Sequence, residues 1–592
     1  MRRSAAPAIA ALLLGLLLAA SAGIALSAQP DSVPALRFKV VIEAPRPIRM
    51  MLEEGLDIVR WQRDQRMTPE LLERLVEEAR AATVQALAAD GYFSADVRTH
   101  IERANEHATV RISVEPGART MVSAVTLHLH GQITHGGPPE QKRIEDLRRA
   151  WPLKPGRPFR ETDWETAKRQ TIATLGVARY AAARLVSSEA RVDPEQRTAV
   201  LTLDIDSGPL FHIGQIQITG LKRYPPSVVE NMSPLTPGAP YEEDGLILYQ
   251  RRLLETGYFA TAQLVVDPDP AKAAAAPLLI NVIEARTQRI DTGVSFSTDT
   301  RLRVQFDYTN NDIFQSAYRL HTLMKADAQS QSFDVSVNQP PQPGGIWMSY
   351  TGTLQRTDIQ GQRTQEAVAG IARNWGPWST PSQIGVSLHT ERVDVEGSTS
   401  DNIHAAVLDY RYAFRRTDAL VQPRRGVLGT LELNVAPPGL ATRQFERAHL
   451  KSTFLWPLGE QDDLTLRGEA GIVLATSRFG IPSSFLYRTG GDQSVRGYAY
   501  QSIGVTQGSA IVGGRYLALG SVEYTHWFGG DWGAATFVDA GDAFDAPHDF
   551  RPAVGYGVGA RWRSPIGPFR ADVAYGQRTH KLRLHFSVGF TF

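Results

Sequence analysis

The chain has 592 residues, too many for one hydrophobic core, so several domains are expected. Its 63 lysines and arginines against 62 aspartates and glutamates give a formal net charge of +1, which offers no global electrostatic case for nucleic-acid binding. Cysteine is absent, which excludes disulfides, thiolate metal sites and thiol nucleophiles.

The N-terminus predicts a secretory signal peptide over residues 1–28. Arg2 and Arg3 precede an apolar run from Ala5 to Ala20, and small residues follow it. An uncleaved membrane anchor is the alternative. Beyond this segment no stretch approaches the about 18 apolar residues that a membrane helix requires. If the mature chain lies in a membrane, we expect it to span the membrane with strands.

Residues 35–285 predict three copies of a small α+β module, over 35–117, 119–208 and 211–285. Each copy reads as strand, helix, helix, strand, strand. The marker of the repeat is a helix that ends in glycine before a strand, at Gly91, Gly176 and Gly257, with the second copy degenerate. At these positions we expect the left-handed backbone that glycine favours at a helix C-terminus.

Residues 286–592 change to alternating segments separated by Gly, Pro, Asn and Asp. In one of them Val554, Tyr556 and Val558 share a face, while Arg561 and Arg563 lie on the other. Charges confined to one face, segment after segment, predict a closed transmembrane antiparallel β-barrel rather than a soluble sandwich. About 305 residues, at about 19 per strand and turn, predict about sixteen strands.

The two ends of this barrel region are predicted to meet. Residues 289–297 read as the first strand, with Ile290, Val294 and Phe296 facing outward, and residues 582–592 read as the last. A barrel must close between them, because an open edge in lipid leaves backbone groups unpaired. The pair Thr292 and Ser587 is the expected point of contact across this seam.

Four residues in the seam strands carry further expectations. Gly293 and Gly589 are expected to weaken the pairing, since glycine weakens a strand interior. Phe590 and Phe592 end the apolar face of the last strand, and we expect them to form a C-terminal insertion signal.

A loop motif and a wall motif are predicted to interact inside the barrel. The loop motif is Val495, Arg496, Gly497 and Tyr498, and the wall motif is Phe537, Asp539 and Gly541. Residues two apart on a strand share a face, and the carboxylate of Asp539 makes that face the lumen. Arg496 is a planar donor suited to a bidentate bond with Asp539. The pair could brace the barrel or act as a releasable latch, and the sequence leaves both readings open.

The loop motif resembles the signature of the BamA/TamA/two-partner-secretion superfamily of outer-membrane assembly factors. Residues 537–541, the set Asp418, Pro423, Arg425 and Gly426, and residues 565–572 fit further motifs of that superfamily in the right order. The modules resemble POTRA domains, periplasmic units that bind extended segments by adding a strand to a sheet edge. The resemblance implies a Gram-negative outer-membrane location, with the N-terminal modules in the periplasm.

Three modules point to the TamA branch of the superfamily. That resemblance implies insertion or translocation of unfolded client proteins such as autotransporters, contact with outer-membrane lipid and no cofactor. It also implies an inner-membrane-anchored partner of the TamB type, docked on the first module. A two-partner-secretion transporter, a BamA-like insertase, a lipid-transport component and a passive pore are the alternatives.

An enzyme is not expected. The sequence has no Gly-x-Ser-x-Gly elbow and no His-Glu-x-x-His motif, and its histidines show no metal-ligand spacing of weight.

Overall fold

The structure, a computed structural model, describes residues 36–62, 67–104, 107–419, 423–564 and 567–591. The predicted signal peptide and Phe592 lie outside these residues. The chain divides into two compact units. Of the described residues, those up to Gly176 and those of 183–208 form the first, here called the N-terminal unit, and those of 177–182 and from Pro209 onward form the second, the barrel unit. Within the described part of the chain, no helix is long and apolar enough to cross a membrane.

The N-terminal unit begins with a three-stranded sheet covered by helices. Its elements are β1 (Arg37–Glu43), α1 (Arg46–Gly55), α2 (Asp57–Trp61), α3 (Pro69–Ala89), β2 (Asp96–Ala104) and β3 (His107–Glu115). The sheet order is β1-β3-β2, with β1 parallel and β2 antiparallel to the central β3. Alternate residues of β3, including Val110 and Ile112, are buried in one core with Leu72 and Val76 of α3.

A second sheet of the same order follows in the N-terminal unit. Its elements are β4 (Met121–His130), α4 (Pro138–Ala150), α5 (Glu161–Gly176), β5 (Arg184–Asp193) and β6 (Thr198–Asp206). The order is β4-β6-β5, again with the last strand at the centre. Leu201 and Leu203 of β6 are fully buried, because the central strand packs its apolar face beneath the helices.

The barrel unit opens with a third sheet of this kind. Its elements are β7 (Ile213–Thr219), α6 (Ser227–Glu230), α7 (Glu243–Glu255), β8 (Phe259–Val266) and β9 (Ala276–Glu284), in the order β7-β9-β8. This fold is fixed to the turn after the second barrel strand. Tyr258 donates its hydroxyl to the carbonyl of Ala317 at 2.6 Å, and the guanidinium of Arg319 donates to the carbonyl of Thr256 at 2.9 Å.

The helix-ending glycines behave as predicted at two of the three sites. Gly91 and Gly257 have φ of 93° and 78°. Gly176 is not left-handed, so that expectation was wrong. Gly176 is the last residue of helix α5, and the left-handed residue is Arg179, three positions later, with φ of 71°. Its amide donates to the carbonyl of Tyr241 at 2.8 Å, which helps to fix a conformation unusual for a side-chain-bearing residue.

Sixteen antiparallel strands close into a barrel, which confirms the predicted fold class. The first eleven are β10 (Gln288–Ser297), β11 (Arg301–Ile313), β12 (Tyr318–Ala326), β13 (Ser330–Asn338), β14 (Trp347–Ile359), β15 (Gln362–Trp375), β16 (Ser382–Val395), β17 (Asp401–Thr417), β18 (Gly426–Ala436), β19 (Phe445–Pro457) and β20 (Asp462–Leu474). A loop containing the short hairpin β21 (Val505–Gln507) and β22 (Ala510–Val512) precedes the last five: β23 (Tyr516–Trp527), β24 (Trp532–Phe544), β25 (Ala553–Ser564), β26 (Gly567–Gly576) and β27 (Lys581–Thr591).

The barrel's outer surface is apolar, as a lipid-facing wall requires. Ile290, Val294 and Phe296 of β10 are all among the exposed large apolar residues, in agreement with their predicted outward orientation. An aromatic row crosses neighbouring strands beside the seam. Phe296 lies 5.9 Å from Phe586 between ring centroids, and Phe586 lies 4.9 Å from Phe569.

The seam between β10 and β27 has a different register from the expected one. Ser587 pairs with Ser297, and Thr591 pairs with Gly293, so the expected pair of Thr292 with Ser587 was wrong by five residues. The alternation of side chains fixes which face a residue occupies but not how far one strand is staggered against the next.

Candidate functional site: the lumenal loop and the strand seam

The loop between β20 and β23 folds back against the inner wall of the barrel. Gly497 has φ of +93°, and a Cβ there would lie 2.7 Å from the amide nitrogen of Gly576. A Cβ on Gly555 would lie 1.8 Å from the carbonyl oxygen of Arg496. Glycine on both sides therefore lets the loop backbone approach β25 and the end of β26 more closely than any side chain would allow.

Arg496 and Asp539 form a buried, bidentate ion pair. Nε of Arg496 donates to Oδ2 of Asp539 at 2.7 Å, and Nη2 donates to Oδ1 at 2.9 Å. The backbone amide of Arg496 adds a third bond to Oδ2 at 3.1 Å. The side chains are 2% and 0% exposed, respectively, so water screens this pair very little.

The other residues of the two predicted motifs surround this pair. The guanidinium carbon of Arg496 lies 3.3 Å from the ring centroid of Phe537, a cation–π geometry. Val495 is fully buried, and a Cβ on Gly541 would lie 3.1 Å from its Cγ2. The hydroxyl of Tyr498 donates to the carbonyl of Val554 at 3.1 Å. The structure thus brings all seven residues of the two motifs to one place.

Further charged residues, which the sequence reasoning missed, complete the cluster. Nη1 of Arg496 lies 2.6 Å from Glu523 and 3.3 Å from Asp572. Arg561 bonds both of these carboxylates, at 2.9 and 2.5 Å. Arg467 lies 3.8 Å from Asp539 and is the third arginine of the cluster. Three carboxylates therefore face three guanidinium groups. The balance of charge makes burial tolerable.

The same loop is held on the opposite wall by two glutamates. The amide of Ser483 donates to Glu391 at 2.7 Å, and the hydroxyl of Ser484 donates to Glu366 at 2.9 Å. These glutamates lie on β16 and β15, whereas Asp539 lies on β24. The loop therefore spans the lumen and is anchored at both sides.

The seam has the shortest pairing of any neighbouring strands in the described barrel. The β10–β27 ladder has five residue pairs, from Gly293–Thr591 to Ser297–Ser587, whereas the β15–β16 ladder has fourteen. Gly293 and Gly589 both lie within these five pairs, and the backbone of Phe590 pairs with Val294. Each ladder pair contributes backbone hydrogen bonds, so the seam is the weakest closure of the barrel.

A second ion pair fixes the segment that joins the third α+β fold to β10. Glu284, the last residue of β9, accepts hydrogen bonds from the amides of Lys222 and Arg223, both at 2.8 Å, and from the Arg223 side chain at 2.8 Å. Arg223 also donates to the carbonyl of Ala285 and to the hydroxyl of Thr287. Burial would raise the pKa of Glu284, but these bonds outweigh it and lower the pKa to about 2.

Comparison with known proteins supports the architecture. The BamA outer membrane protein assembly factor of Neisseria meningitidis serogroup B is 23% identical over 579 residues, covering 85% of this chain and 71% of that protein. BamA of Nitratidesulfovibrio vulgaris is 22% identical over 436 residues, covering 69% of this chain and 54% of that protein. A crystal structure of BamA from Haemophilus ducreyi lacking POTRA domains 1–3 has the same fold, with a TM-score of 0.60 at 16% identity, covering 80% of this chain and 100% of that one.

Two family profiles match the barrel unit. The POTRA profile, described as a surface antigen variable number repeat, matches residues 211–285, which form the third α+β fold. The profile described as the Omp85 superfamily domain matches residues 285–592, more than half of the chain and the whole barrel. The chain therefore belongs to the Omp85 superfamily of outer-membrane assembly and transport proteins, as an outer-membrane β-barrel whose POTRA region lies in the periplasm.

Proposed function

We propose that the protein is an assembly factor of the TamA type, which inserts or translocates unfolded outer-membrane clients such as autotransporters. The working part is the seam between β10 and β27, and the observation that carries the proposal is its five-pair ladder. Among the described residues, Gln288–Asp291 of β10 have no partner in β27. Opening the seam breaks few bonds and exposes a strand edge on which a client strand can pair by β-augmentation.

The anchored loop supports an assembly role over a passive pore. A pore needs an open lumen, whereas this loop is bonded to walls on opposite sides through Asp539 and Glu391. The identity with BamA proteins favours a BamA-like insertase as the second candidate, since both functions would use the same seam. A two-partner-secretion transporter remains the third.

The domain plan of the proposal is a signal peptide over 1–28, three POTRA domains over 35–117, 119–208 and 211–285, and the barrel over 286–592. The repeated sheet order, with the last strand always central, supports the assignment of the first two folds as POTRA domains. In both folds an added strand could pair at an outer strand of the sheet, β2 in the first and β5 in the second. The other outer strands already have contacts at their edges, because Met121 of β4 bridges Pro158 and the amide of Val40 on β1 donates to the side chain of Gln62.

Locking the seam tests the proposed mechanism. The amide of Thr298 donates to the carbonyl of Phe586, so the next pair, Ser297 with Ser587, is a non-hydrogen-bonded pair, in which side chains lie closest. Cysteines at Ser297 and Ser587 should form a disulfide without competition, because the chain has no other cysteine. We expect oxidation to abolish client display on the cell surface and reductant to restore it.

The matched control is a cysteine pair at Thr357 and Thr364, which lie across β14 and β15 with side-chain oxygens 2.7 Å apart. That disulfide should leave display unchanged, because those strands need not separate. Undiminished display with the Ser297–Ser587 disulfide fully formed would contradict the seam mechanism and would leave the periplasmic folds as the working part.

The proposed partner is an inner-membrane-anchored protein of the TamB type, bound to the first α+β fold. Photo-crosslinking amino acids at the exposed positions Lys39 and Arg98, one on each outer strand of the first sheet, test this in intact cells. We expect adducts with such a protein there and none from Lys272 in the third fold. Adducts from Lys272 alone would overturn this placement.

A further inference from the structure

The lumenal loop is bonded to the turn that follows the first seam strand, β10, and to the last seam strand, β27. The amide of Asp492 donates to Oδ2 of Asp299 at 2.6 Å, and Asp299 lies in the turn that follows β10. The amide of Gly497 donates to Nε2 of His585 at 2.9 Å, and His585 lies on β27. One loop therefore bonds from the lumenal side to the first hairpin and to the last strand.

The two side chains also face each other across the seam. Because Nε2 of His585 accepts a hydrogen bond, the ring proton of the neutral imidazole must lie on Nδ1. That atom lies 3.8 Å from Oδ1 of Asp299, and the side chains are 2% and 6% exposed. On β26, Asp572, which also lies 3.3 Å from Arg496, is the cross-strand neighbour of His585. Asp572 thus connects the pair at the seam to the ion-pair cluster.

We propose that Asp299 and His585 make the loop a clasp across the seam, so that a seated loop and a closed seam stabilise each other. The inference rests on the proposed function in taking seam opening as the working step. It assigns both residues as positioning residues that act through the loop amides. It also favours the latch interpretation of Arg496 over the brace, because releasing Arg496 would remove the clasp as well.

Coupling of this kind is reciprocal: if seating the loop favours a closed seam, closing the seam must favour a seated loop to the same extent. With cysteines at Ser297 and Ser587, oxidant locks the seam closed and reductant releases it. The loop is read by trypsin cleavage after Arg496, which is buried when the loop is seated. Outer-membrane fragments without client suffice, so failure of client assembly cannot affect the result.

In the otherwise unchanged cysteine pair, we expect oxidation to slow cleavage after Arg496 at least fivefold relative to the reduced form. In Asp299→Ala and His585→Ala backgrounds, the ratio of the cleavage rate in the reduced form to that in the oxidised form should fall to near one. Both rates should be high, because the loop is no longer held at the seam. His585→Gln should restore part of the ratio, because its carboxamide oxygen can accept the Gly497 amide. Ser295→Ala is the control, since this residue faces the lumen on the same strand without a described bond to the loop.

A ratio of one in the otherwise unchanged pair would overturn the proposal, as would a full ratio in both alanine variants. If His585→Ala fails to insert, as judged by heat-modifiable mobility, Asp299→Ala and His585→Gln still decide the outcome. A seam lock that leaves client display intact but changes the cleavage ratio would contradict the proposed function and retain the clasp. If the seam lock blocks client display but leaves the cleavage ratio at one, the proposed function is supported and the clasp is contradicted.

Discussion

Asp539 receives three hydrogen bonds from Arg496, two from the guanidinium and one from the backbone amide. A fully buried carboxylate on a barrel strand thus fixes both the side chain and the main chain of a loop residue. A bidentate bond sets the orientation of the guanidinium plane, and the amide bond sets the path of the loop. The loop's position therefore depends strongly on one wall residue.

Arg496→Ala should leave the barrel inserted and lower client display at least tenfold. The change leaves the three carboxylates of the cluster facing only Arg467 and Arg561. Breaking a buried ion pair costs about 3–5 kcal/mol, which is enough to unseat the loop. Arg496→Lys should restore little, because an ammonium group cannot reproduce the bidentate bond. Heat-modifiable mobility measures folding, and surface display of a client measures function.

The control for this change is Arg363→Ala, which removes an arginine from a half-exposed pair with Asp358. That variant should behave as the parent, since exposed pairs contribute about 0–1 kcal/mol. Normal display in both Arg496→Ala and Asp539→Ala would reduce the buried pair to dispensable packing.

Gly497→Ala should have an effect similar to that of Arg496→Ala although it removes no hydrogen-bonding group. Its Cβ would meet the Gly576 backbone at 2.7 Å, and its φ of +93° is strained for alanine. Gly520→Ala on β23 is the matched control, because nothing lies within 4 Å of the added Cβ. Trypsin sensitivity of the loop should rise in the first variant only; equal sensitivity would show that the close approach is not required.

Deleting Phe592 should lower the amount of folded protein in the outer membrane. The alternation in residues 582–592 predicts that Phe592 belongs to the apolar face of the last strand, and aromatic residues at the membrane interface are typical of transmembrane barrels. Phe592→Tyr is the control that keeps an aromatic ring. Quantitative blotting with heat-modifiable mobility measures the folded fraction, and an unchanged amount after deletion would contradict an insertion signal at this residue.

Glu284→Gln should loosen the joint between the third α+β fold and the barrel. At pH 7 we expect a loss of about 1–3 kcal/mol in local protection of the amides of Lys222, Arg223 and Tyr224, which bond Glu284. Hydrogen exchange with mass spectrometry measures it. Asp267→Asn, which changes a partly exposed pair with Lys272 in the same fold, is the control and should leave these amides protected.

The same joint should depend on pH in a defined window. The folded pKa of Glu284 is about 2, below its ordinary value of 4.5, so the stabilisation is full above about pH 4.5 and is lost as pH falls through about 2. Protection of the three amides should fall over that window in the parent. In Glu284→Gln it should stay constant there, and a parallel fall in both would contradict the assignment to Glu284.

Much of this architecture could be predicted because it depends only on the alternation of side chains between the two faces of a strand. Strict alternation places Ile290 and Phe296 outside and Asp539 inside whatever the strand stagger, so the barrel and the lumenal face followed from the sequence. The meeting of Arg496 with Asp539 required one further step, the recognition of two motifs that occur together in a family.

The remaining contacts depend on the stagger between neighbouring strands and on the path of the loop, which the alternation of side chains does not determine. Glu523, Asp572 and His585 converge on the loop only because β23, β26 and β27 are offset by particular amounts. The stagger of β10 against β27 is of the same kind, and it explains why Thr292 was paired wrongly with Ser587. No spacing within a single strand carries that information.

The attachment of the third α+β fold has a mechanical consequence. Tyr258 and Thr256 are bonded to Ala317 and Arg319, at the turn between β11 and β12, rather than to β10. Tension on the periplasmic chain is therefore shared by the β11–β12 hairpin, whose ladder of eight pairs is longer than the five pairs of the seam, and does not act on the first strand alone. A force along the chain acts on the β11–β12 ladder in shear. The barrel can therefore resist a force from the periplasmic side without separation of β10 from β27.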